Sequence, residues 1–117
     1  MLPPMTVVET PFFLRKAADL LDEEERSNLV LWVGANPGVG DVIPETGGVR
    51  KFRWQVRGRG KRGGVRVIYY FHSEAFPVFL LTVYAKNQKA NLTKAERNNL
   101  KNLVPLLVKT YAKGGRL

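Results

Sequence analysis

The stretch Val65-Arg66-Val67-Ile68-Tyr69-Tyr70-Phe71 decides the fold, because it is almost continuously apolar and rich in β-branched and aromatic side chains. Such a run predicts a central β-strand. The apolar run 77–84 predicts the strand that follows it, and the run 49–57 predicts the strand that precedes it. Because short turns join these three runs, we expect them to pair as an antiparallel meander.

The run 49–57 alternates between two kinds of side chain. One set of alternate positions holds Arg50, Phe52, Trp54 and Val56, and the other holds Lys51, Arg53, Gln55 and Arg57. Successive side chains of a strand point to opposite faces, so this strand has one aromatic face and one basic face. Lys51 and Arg53 therefore share a face, roughly 6.6 Å apart at about 3.3 Å per residue. This distance is near the spacing of adjacent phosphates along a single nucleic-acid strand.

Two helices are predicted before the three strands. Residues 11–21 carry apolar side chains at helical spacing. Asp22-Glu23-Glu24-Glu25 has the pattern of a capping box with acidic residues in the first turn, and it starts a second helix that ends before Asn36. The short β-branched run 6–9 predicts an edge strand ahead of them. Residues 38–48 are predicted to be a loop.

One helix is predicted after the strands. Thr93-Lys94-Ala95-Glu96 is another capping box, and the apolar stripe that follows it extends to about Tyr111. Pro105 predicts a kink or a break, because proline removes a helical hydrogen bond and clashes with the preceding turn. The order of strand, two helices, three strands and helix predicts a single α+β domain over residues 1–117. Its helices are expected on one face of a mostly antiparallel sheet.

The charge of the chain is unevenly placed. The 117 residues contain 19 Lys and Arg against 10 Asp and Glu, a net charge of +9. Residues 1–45 hold 3 basic and 8 acidic residues, a net of −5, whereas residues 46–117 hold 16 basic and 2 acidic residues, a net of +14. The positive charge concentrated in residues 46–117 creates an electrostatic field that attracts a polyanion. Nucleic acid is therefore the first partner that the sequence predicts.

The rare residue types exclude several kinds of site. The chain has no cysteine, which excludes disulfides, thiolate zinc sites and cysteine nucleophiles. Its one histidine, His72, is interpreted as a surface residue at a strand end, and no metal site is expected. No secretory leader or run of membrane-spanning length is evident, so we expect a cytoplasmic protein without membrane contacts.

Residues 49–66 are the most informative part of the chain for function. They contain no acid and eight basic residues, namely Arg50, Lys51, Arg53, Arg57, Arg59, Lys61, Arg62 and Arg66. Arg66 enters the central strand from the same hairpin as Lys51 and Arg53, so these three cations are expected to converge. Such a cluster can bind a phosphate and stabilise the charge that develops during its cleavage. Tyr84 is predicted to be a base-stacking platform beside it, with core packing as the alternative interpretation.

Three segments resemble the RelE/ParE superfamily of bacterial type II toxins, most closely its HigB-like branch. They are the runs 46–53, 58–71 and 80–87, which include Gly-Lys-Arg-Gly-Gly-Val-Arg-Val-Ile-Tyr-Tyr at 60–70. The resemblance implies the RelE-like small ribonuclease fold and an mRNA endoribonuclease that works in the A site of the 30S ribosomal subunit, beside rRNA, without a cofactor. It also implies neutralisation by a HigA-like helix-turn-helix antitoxin, with operator DNA contacted only through the complex.

The resemblance also assigns roles to residues. It implies that the catalytic cations are Lys51, Arg53, Arg66 and Lys86. The residues expected to bind RNA are Arg50, Arg57, Arg59, Lys61, Arg62, Tyr84 and Lys89. The C-terminal tyrosine of the best-known RelE enzymes has no counterpart, since Leu92 occupies the aligned position, and Tyr84 is the candidate substitute.

The expected reaction is metal-independent cleavage, in which the substrate's 2′-OH attacks the adjacent phosphorus. It leaves a 2′,3′-cyclic phosphate and a 5′-OH. Lys51, Arg53 and Arg66 would neutralise the phosphorane, and Lys86 would assist the leaving oxygen. Lys51 is the leading candidate for the general base, because the like charges of Arg50, Arg53 and Arg66 nearby would favour its neutral form.

Two alternative functions stay open at this point. The gyrase-poisoning branch of the same superfamily inhibits a protein and is not a nuclease, and the presence of all four catalytic cations argues against it. A non-catalytic RNA-binding module, or a decayed toxin, would use the same cations to bind RNA without cutting it. A supercoiling assay and an RNA cleavage assay separate these alternatives.

Overall fold

The computed structural model describes residues 4–56 and 64–112. Its elements are β1 (Val7–Glu9), α1 (Pro11–Ala18), α2 (Glu23–Ala35), β2 (Asp41–Val42), β3 (Val49–Trp54), β4 (Val65–Tyr70), β5 (Val78–Ala85) and α3 (Lys94–Ala112). The strands form one sheet in the order β1-β5-β4-β3-β2, in which β1 runs parallel to β5 and every other pair is antiparallel. The predicted α+β fold, with its meander and its C-terminal helix, is confirmed.

Side-chain caps set the start of two helices as the sequence predicts. At α2, the Asp22 carboxylate accepts from the Glu25 N–H at 2.7 Å, and the Glu25 carboxylate accepts from the Asp22 N–H at 3.2 Å. Thr93 and Glu96 form the same reciprocal pair at α3, at 3.1 and 2.8 Å. These caps satisfy N–H groups that a helix leaves without partners at its first turn.

Helices cover both faces of the sheet, so the prediction of helices on one face is wrong. The core between the sheet and α1 and α2 includes Phe13, Leu29, Val33, Phe52, Val67 and Leu80. The core between the sheet and α3 includes Val49, Ile68, Phe79, Leu81, Val104 and Leu107. The reason lies in β4 and β5, whose successive side chains are buried on either side. A strand that is apolar on both faces needs cover on both faces.

The region predicted to be a loop contains a short edge strand. Asp41 pairs with Lys51, and Val42 pairs with Arg50, which places β2 beside β3. Both residues of β2 are exposed, so no apolar alternation marks the strand in the sequence. It exists because the turn before it is held against the central strand.

That turn, residues 37–40, is anchored by two side chains. The Tyr69 hydroxyl donates to the Pro37 carbonyl and accepts from the Gly40 N–H, both at 2.8 Å. Arg50 Nη1 donates to the Gly40 carbonyl at 2.7 Å. A Cβ atom on Gly40 would lie 2.8 Å from the Lys51 carbonyl oxygen and from the Tyr69 ring, so only glycine allows this close approach.

The C-terminal helix is continuous from Lys94 to Ala112 and passes through Pro105, so the alternative of a break is wrong. Proline leaves the carbonyl of Lys101, four residues earlier, without its helical donor. Both residues are exposed, so water can take the donor's place. Like the other helices in the described part of the chain, α3 is not both long and apolar enough to cross a membrane.

Candidate nucleic-acid interface

Three of the predicted catalytic cations converge on the face of the sheet that α3 partly covers. Lys51 and Arg53 alternate onto this face of β3, and Arg66 of β4 lies directly opposite Arg53. Directly opposed residues have Cβ atoms about 4.5–5.5 Å apart. All three side chains line one open cavity of about 470 Å³, here called the basic cavity, together with Val39, Asp41, Phe52, Ala90 and Asn91.

The cations of the basic cavity form no ion pair within residues 4–56 and 64–112. The ion pairs there join Arg26 to Glu9 and Lys89 to Glu96, and neither touches the cavity's cations. Asp41 faces Lys51 across β2 and β3 and contributes the cavity's one carboxylate among the described residues. Three cations and one carboxylate leave the cavity with an excess of positive charge, which attracts an anion such as phosphate.

A second cavity adjoins the first and was not predicted from the sequence. This side cavity, of about 330 Å³, is lined by Ile43, Pro44, Glu45, Lys51, Tyr84, Asn91, Leu92 and Arg97. Lys51 and Asn91 line both cavities, so the two are neighbours. Arg97 belongs to α3, and its Nη1 donates to the Leu92 carbonyl at 2.9 Å, which holds the guanidinium near the cavity. No local pattern identifies Arg97, because only the packing of α3 brings it to the sheet.

Tyr84 lies beside Arg66 but is largely a core residue. It pairs with Arg66 in the register of β4 and β5, and only 7% of its surface is exposed. The Lys89 ammonium lies 4.9 Å from the centre of its ring. Burial raises the pKa of Tyr84, although Arg66 lowers it and Glu96 adds to the rise. The phenol is therefore neutral near pH 7, and its ring offers little free surface for base stacking.

Arg50 lies on the other face of the sheet from the basic cavity. It belongs to the aromatic side of β3, and its guanidinium donates to the carbonyls of Gly38 and Gly40 at 3.3 and 2.7 Å. Its observed contacts are therefore structural, because they hold the turn that precedes β2. Lys89, also predicted to bind RNA, forms an ion pair with Glu96 and lines neither of the two cavities.

The remaining candidates lie at the edges of this surface or outside the described residues. Lys86 follows β5 directly, and its backbone N–H donates to the Gly64 carbonyl at 3.3 Å. It is exposed and lines neither cavity in the part of the chain that the structure describes. Four RNA-binding candidates fall outside the described residues, namely Arg57, Arg59, Lys61 and Arg62.

His72 is remote from the basic cavity. It lies beyond the opposite end of β4, six residues from Arg66, or roughly 20 Å along an extended chain. Its Nδ1 lies 2.9 Å from the Tyr70 hydroxyl, and its ring packs edge-on against Phe76. This position agrees with its interpretation as a surface residue. Among residues 4–56 and 64–112, no three His, Cys, Asp or Glu side chains are grouped so that they could hold a metal ion.

A comparison with protein families matches residues 41–114 to the model described as RelE toxin of the RelE/RelB toxin–antitoxin system. The matched segment covers more than half of the chain and runs from β2 through α3. It contains Lys51, Arg53 and Arg66, together with the side cavity. The chain therefore belongs to the RelE toxin family, the toxins of type II toxin–antitoxin systems.

Proposed function

We propose that this protein is a ribosome-dependent endoribonuclease that cuts mRNA in the A site and so inhibits translation. The observation that supports this proposal best is the group of three cations, Lys51, Arg53 and Arg66, which line one open cavity and form no ion pair among the described residues. Arg53 and Arg66 are like charges directly opposite each other, so their pairing does not stabilise the sheet. Their arrangement suits a phosphate group that carries extra charge as it reacts.

The proposed cleavage step consumes no water, which reacts only later, when it opens the cyclic phosphate. The 2′-oxygen of the substrate forms a bond to the adjacent phosphorus while the bond from phosphorus to the 5′-oxygen breaks. The proton of the 2′-OH passes to a base, and the leaving 5′-oxygen takes up a proton. The products are a 2′,3′-cyclic phosphate and a 5′-OH. Holding the attacking 2′-oxygen in line with the leaving oxygen lowers the activation barrier. The ribosome and the toxin would provide this positioning together.

Each cation has a proposed role that follows from its position. Arg53 and Arg66 oppose one another across the strands and would hold the non-bridging oxygens of the phosphorane. Lys51, which lines the same cavity beside both arginines, is the proposed base. Arg50, which was also expected near Lys51, lies on the opposite face of the sheet. Lys86, directly after β5, is the proposed source of the proton for the leaving oxygen.

Docking on the ribosome is proposed for the basic segment between β3 and β4. Arg57, Arg59, Lys61 and Arg62 belong to this segment, which joins the two strands that carry the catalytic cations. Contacts of these residues with rRNA phosphates would bring the basic cavity to the mRNA and would weaken as salt concentration rises. The docking group and the catalytic group are therefore separable by mutation.

A cognate antitoxin is the second proposed partner. We place this toxin nearest the HigB-like branch, whose partner is a HigA-like helix-turn-helix protein, and propose that operator DNA is contacted only through the complex. The direct check is the neighbouring reading frame and co-purification of its product with this chain. A neighbouring protein with no DNA-binding helix-turn-helix would contradict the assignment to that branch.

The experiment that tests the proposed activity adds the purified protein to a translation reaction and follows a defined mRNA by primer extension. The wild type is expected to cut inside the open reading frame, only when ribosomes translate it. Arg66→Ala is expected to lose cleavage and keep its fold. Arg15→Ala removes an exposed cation of α1 and serves as the matched control, with cleavage unchanged. Inhibition of gyrase supercoiling without RNA cleavage would favour the gyrase-poisoning alternative and reject the proposal.

A further inference from the structure

The loop between β5 and α3, residues 86–93, contributes to both cavities. Ala90 and Asn91 line the basic cavity together with its three cations. Asn91 and Leu92 line the side cavity. Asn91 therefore belongs to both linings, and its amide carries hydrogen-bond donors as well as an acceptor. Because the loop forms this wall, the shape of the basic cavity depends on how the loop is held.

Lys89 and Glu96 tie the loop to the first turn of α3. The Lys89 ammonium donates to Oε2 of Glu96, and Oε1 of the same carboxylate accepts from the Thr93 N–H at 2.8 Å. One carboxylate thus holds both the middle and the end of the loop. With 34% of the Lys89 side chain and 38% of the Glu96 side chain exposed, the pair is partly shielded from water, which strengthens a charge-assisted hydrogen bond. This pair is here called the loop clamp.

Tyr84 gives the same ammonium a second contact. The Lys89 Nζ lies 4.9 Å from the centre of the Tyr84 ring, within the range of roughly 6 Å for a cation–π contact. Tyr84 is buried on β5 and pairs in register with Arg66 of β4. The loop clamp therefore connects the first turn of α3 to a fixed side chain beside one of the proposed catalytic cations.

The loop clamp lies behind the wall of the basic cavity rather than in it. Lys89 and Glu96 line a third cavity, of about 340 Å³, between α1 and α3. Lys89 lines neither of the other two cavities, although the residues that follow it line the basic cavity. Its ammonium is thus engaged by protein groups on a different side of the loop from the one that a phosphate in the basic cavity would meet.

We propose that Lys89 and Glu96 are positioning residues, which hold the loop as a wall of the basic cavity and keep Asn91 beside the reacting phosphate. Lys89 then acts on RNA through Asn91, and not by binding a phosphate itself. A reaction that depends on positioning is sensitive to such a support, since a displacement of about 1 Å can cost roughly 100-fold in rate. The inference rests on the proposed function, because the wall belongs to the proposed site of cleavage.

The first test measures mRNA cleavage during translation by Glu96→Gln and Lys89→Met. Glutamine keeps the capping box, because its one oxygen can accept from the Thr93 N–H, but it has no second oxygen for Lys89. Each variant is expected to lower kcat roughly 10- to 100-fold with KM nearly unchanged. The double variant should be no slower than either single variant, since both remove the same contact. Lys89→Arg keeps a cationic donor and should restore most of the rate.

The matched control is Glu74→Gln. It removes the same charge from an exposed position in the turn after β4, where Glu74 lines neither the basic cavity nor the side cavity. Its cleavage rate should equal that of the wild type. A full rate in either clamp variant, or effects of the two variants that add in the double variant, would overturn the inference.

The second test needs no catalysis. Hydrogen exchange of the amides of residues 86–93, followed by mass spectrometry, is expected to lose protection in both clamp variants and to stay unchanged in Glu74→Gln. Unchanged protection in the clamp variants rejects the clamp. If the wild type cuts no mRNA, the nuclease proposal fails, and the loss of protection still supports the clamp, so the two failures are distinguishable.

The third test separates the clamp from direct binding of RNA by Lys89. A short 2′-O-methyl RNA, which cannot be cleaved, is titrated into the full chain over a range of salt concentrations. The loop clamp predicts the same salt dependence for Lys89→Met as for the wild type. If Lys89 bound a phosphate, Lys89→Met would reduce the slope of log K against log salt concentration by about 0.7, and Glu96→Gln, which frees the ammonium, would not weaken binding. That second pattern would overturn the inference.

Discussion

Arg53 and Arg66 lie directly opposite each other across β3 and β4, on the face of the sheet that carries the basic cavity. Like charges in such a pair destabilise a sheet, and no carboxylate within residues 4–56 and 64–112 forms an ion pair with either guanidinium. The folded protein therefore holds two repelling charges together at some cost in stability. A phosphate bound between them would be attracted to both guanidinium groups.

Replacing Arg53 with glutamine is expected to stabilise the free protein and impair its activity. Removal of one charge relieves the repulsion by about 0.2–1 kcal/mol, whereas the phosphorane loses one of its two opposed guanidinium groups. Urea unfolding measures the first effect, and mRNA cleavage during translation measures the second. Arg15→Gln, on exposed α1, is the control and should change neither. A loss of stability in Arg53→Gln would mean that Arg53 supports the fold instead.

Two glycines in one turn are expected to respond differently to alanine. A Cβ on Gly40 would come within 2.8 Å of the Lys51 carbonyl and of the buried Tyr69 ring, neither of which can move freely. Gly40→Ala should therefore lower the free energy of unfolding by about 1–3 kcal/mol. Gly38→Ala places its Cβ in open space and should stay within about 0.5 kcal/mol of the wild type. Equal effects in urea unfolding would show that the anchoring of the turn by Tyr69 does not constrain Gly40.

The features that depend on neighbouring residues in the chain were predictable from the sequence. The capping boxes at Asp22 and Thr93 and the placement of Lys51 and Arg53 on one face each follow from local chemistry or from the period of two. The same alternation puts Arg50 with Phe52 and Trp54, so its separation from the basic cavity was also implicit. The charge of Arg50 alone does not distinguish the two faces.

The features that the sequence did not reveal all come from tertiary packing. β2 has two exposed residues, and its pairing depends on hydrogen bonds from Tyr69, far along the chain. The side cavity needs α3 to bring Arg97 toward Lys51, and no local pattern encodes that meeting. The placement of helices on both faces was available in principle, because four successive buried residues of β4 require cover on both sides.

Replacing Pro105 with alanine is expected to stabilise the protein by up to about 3 kcal/mol, the intrinsic cost of proline in a helix interior. Alanine restores an N–H donor for the Lys101 carbonyl and removes the clash with the preceding turn. The matched control is Asn102→Ala, another exposed position of α3, which should gain less than about 0.7 kcal/mol. A gain no larger than the control's would show that α3 already accommodates the proline without cost.

Stability is expected to fall in alkali because three tyrosines are buried. Burial raises the pKa of Tyr69, Tyr70 and Tyr84 in the folded protein. The unfolded chain then releases phenolic protons at lower pH than the folded chain, so the stability is complete below about pH 10 and declines as pH rises above it. Urea unfolding at a series of alkaline pH values measures the decline. Tyr84→Phe removes one of these phenols and should lose less stability over the same pH range. An unchanged decline would show that the Tyr84 phenol does not contribute to it.

The most direct measurement of the central claim captures RNA ends that carry a 2′,3′-cyclic phosphate after brief induction of the toxin in growing cells. We expect the wild type to produce such ends within translated reading frames and Arg66→Ala, expressed to the same level, to produce none above background. A partner fragment that begins with a 5′-OH should map to each cut. Equal numbers of ends from both proteins, or growth arrest by the wild type without any such ends, would contradict the assignment of Lys51, Arg53 and Arg66 as the site of RNA cleavage.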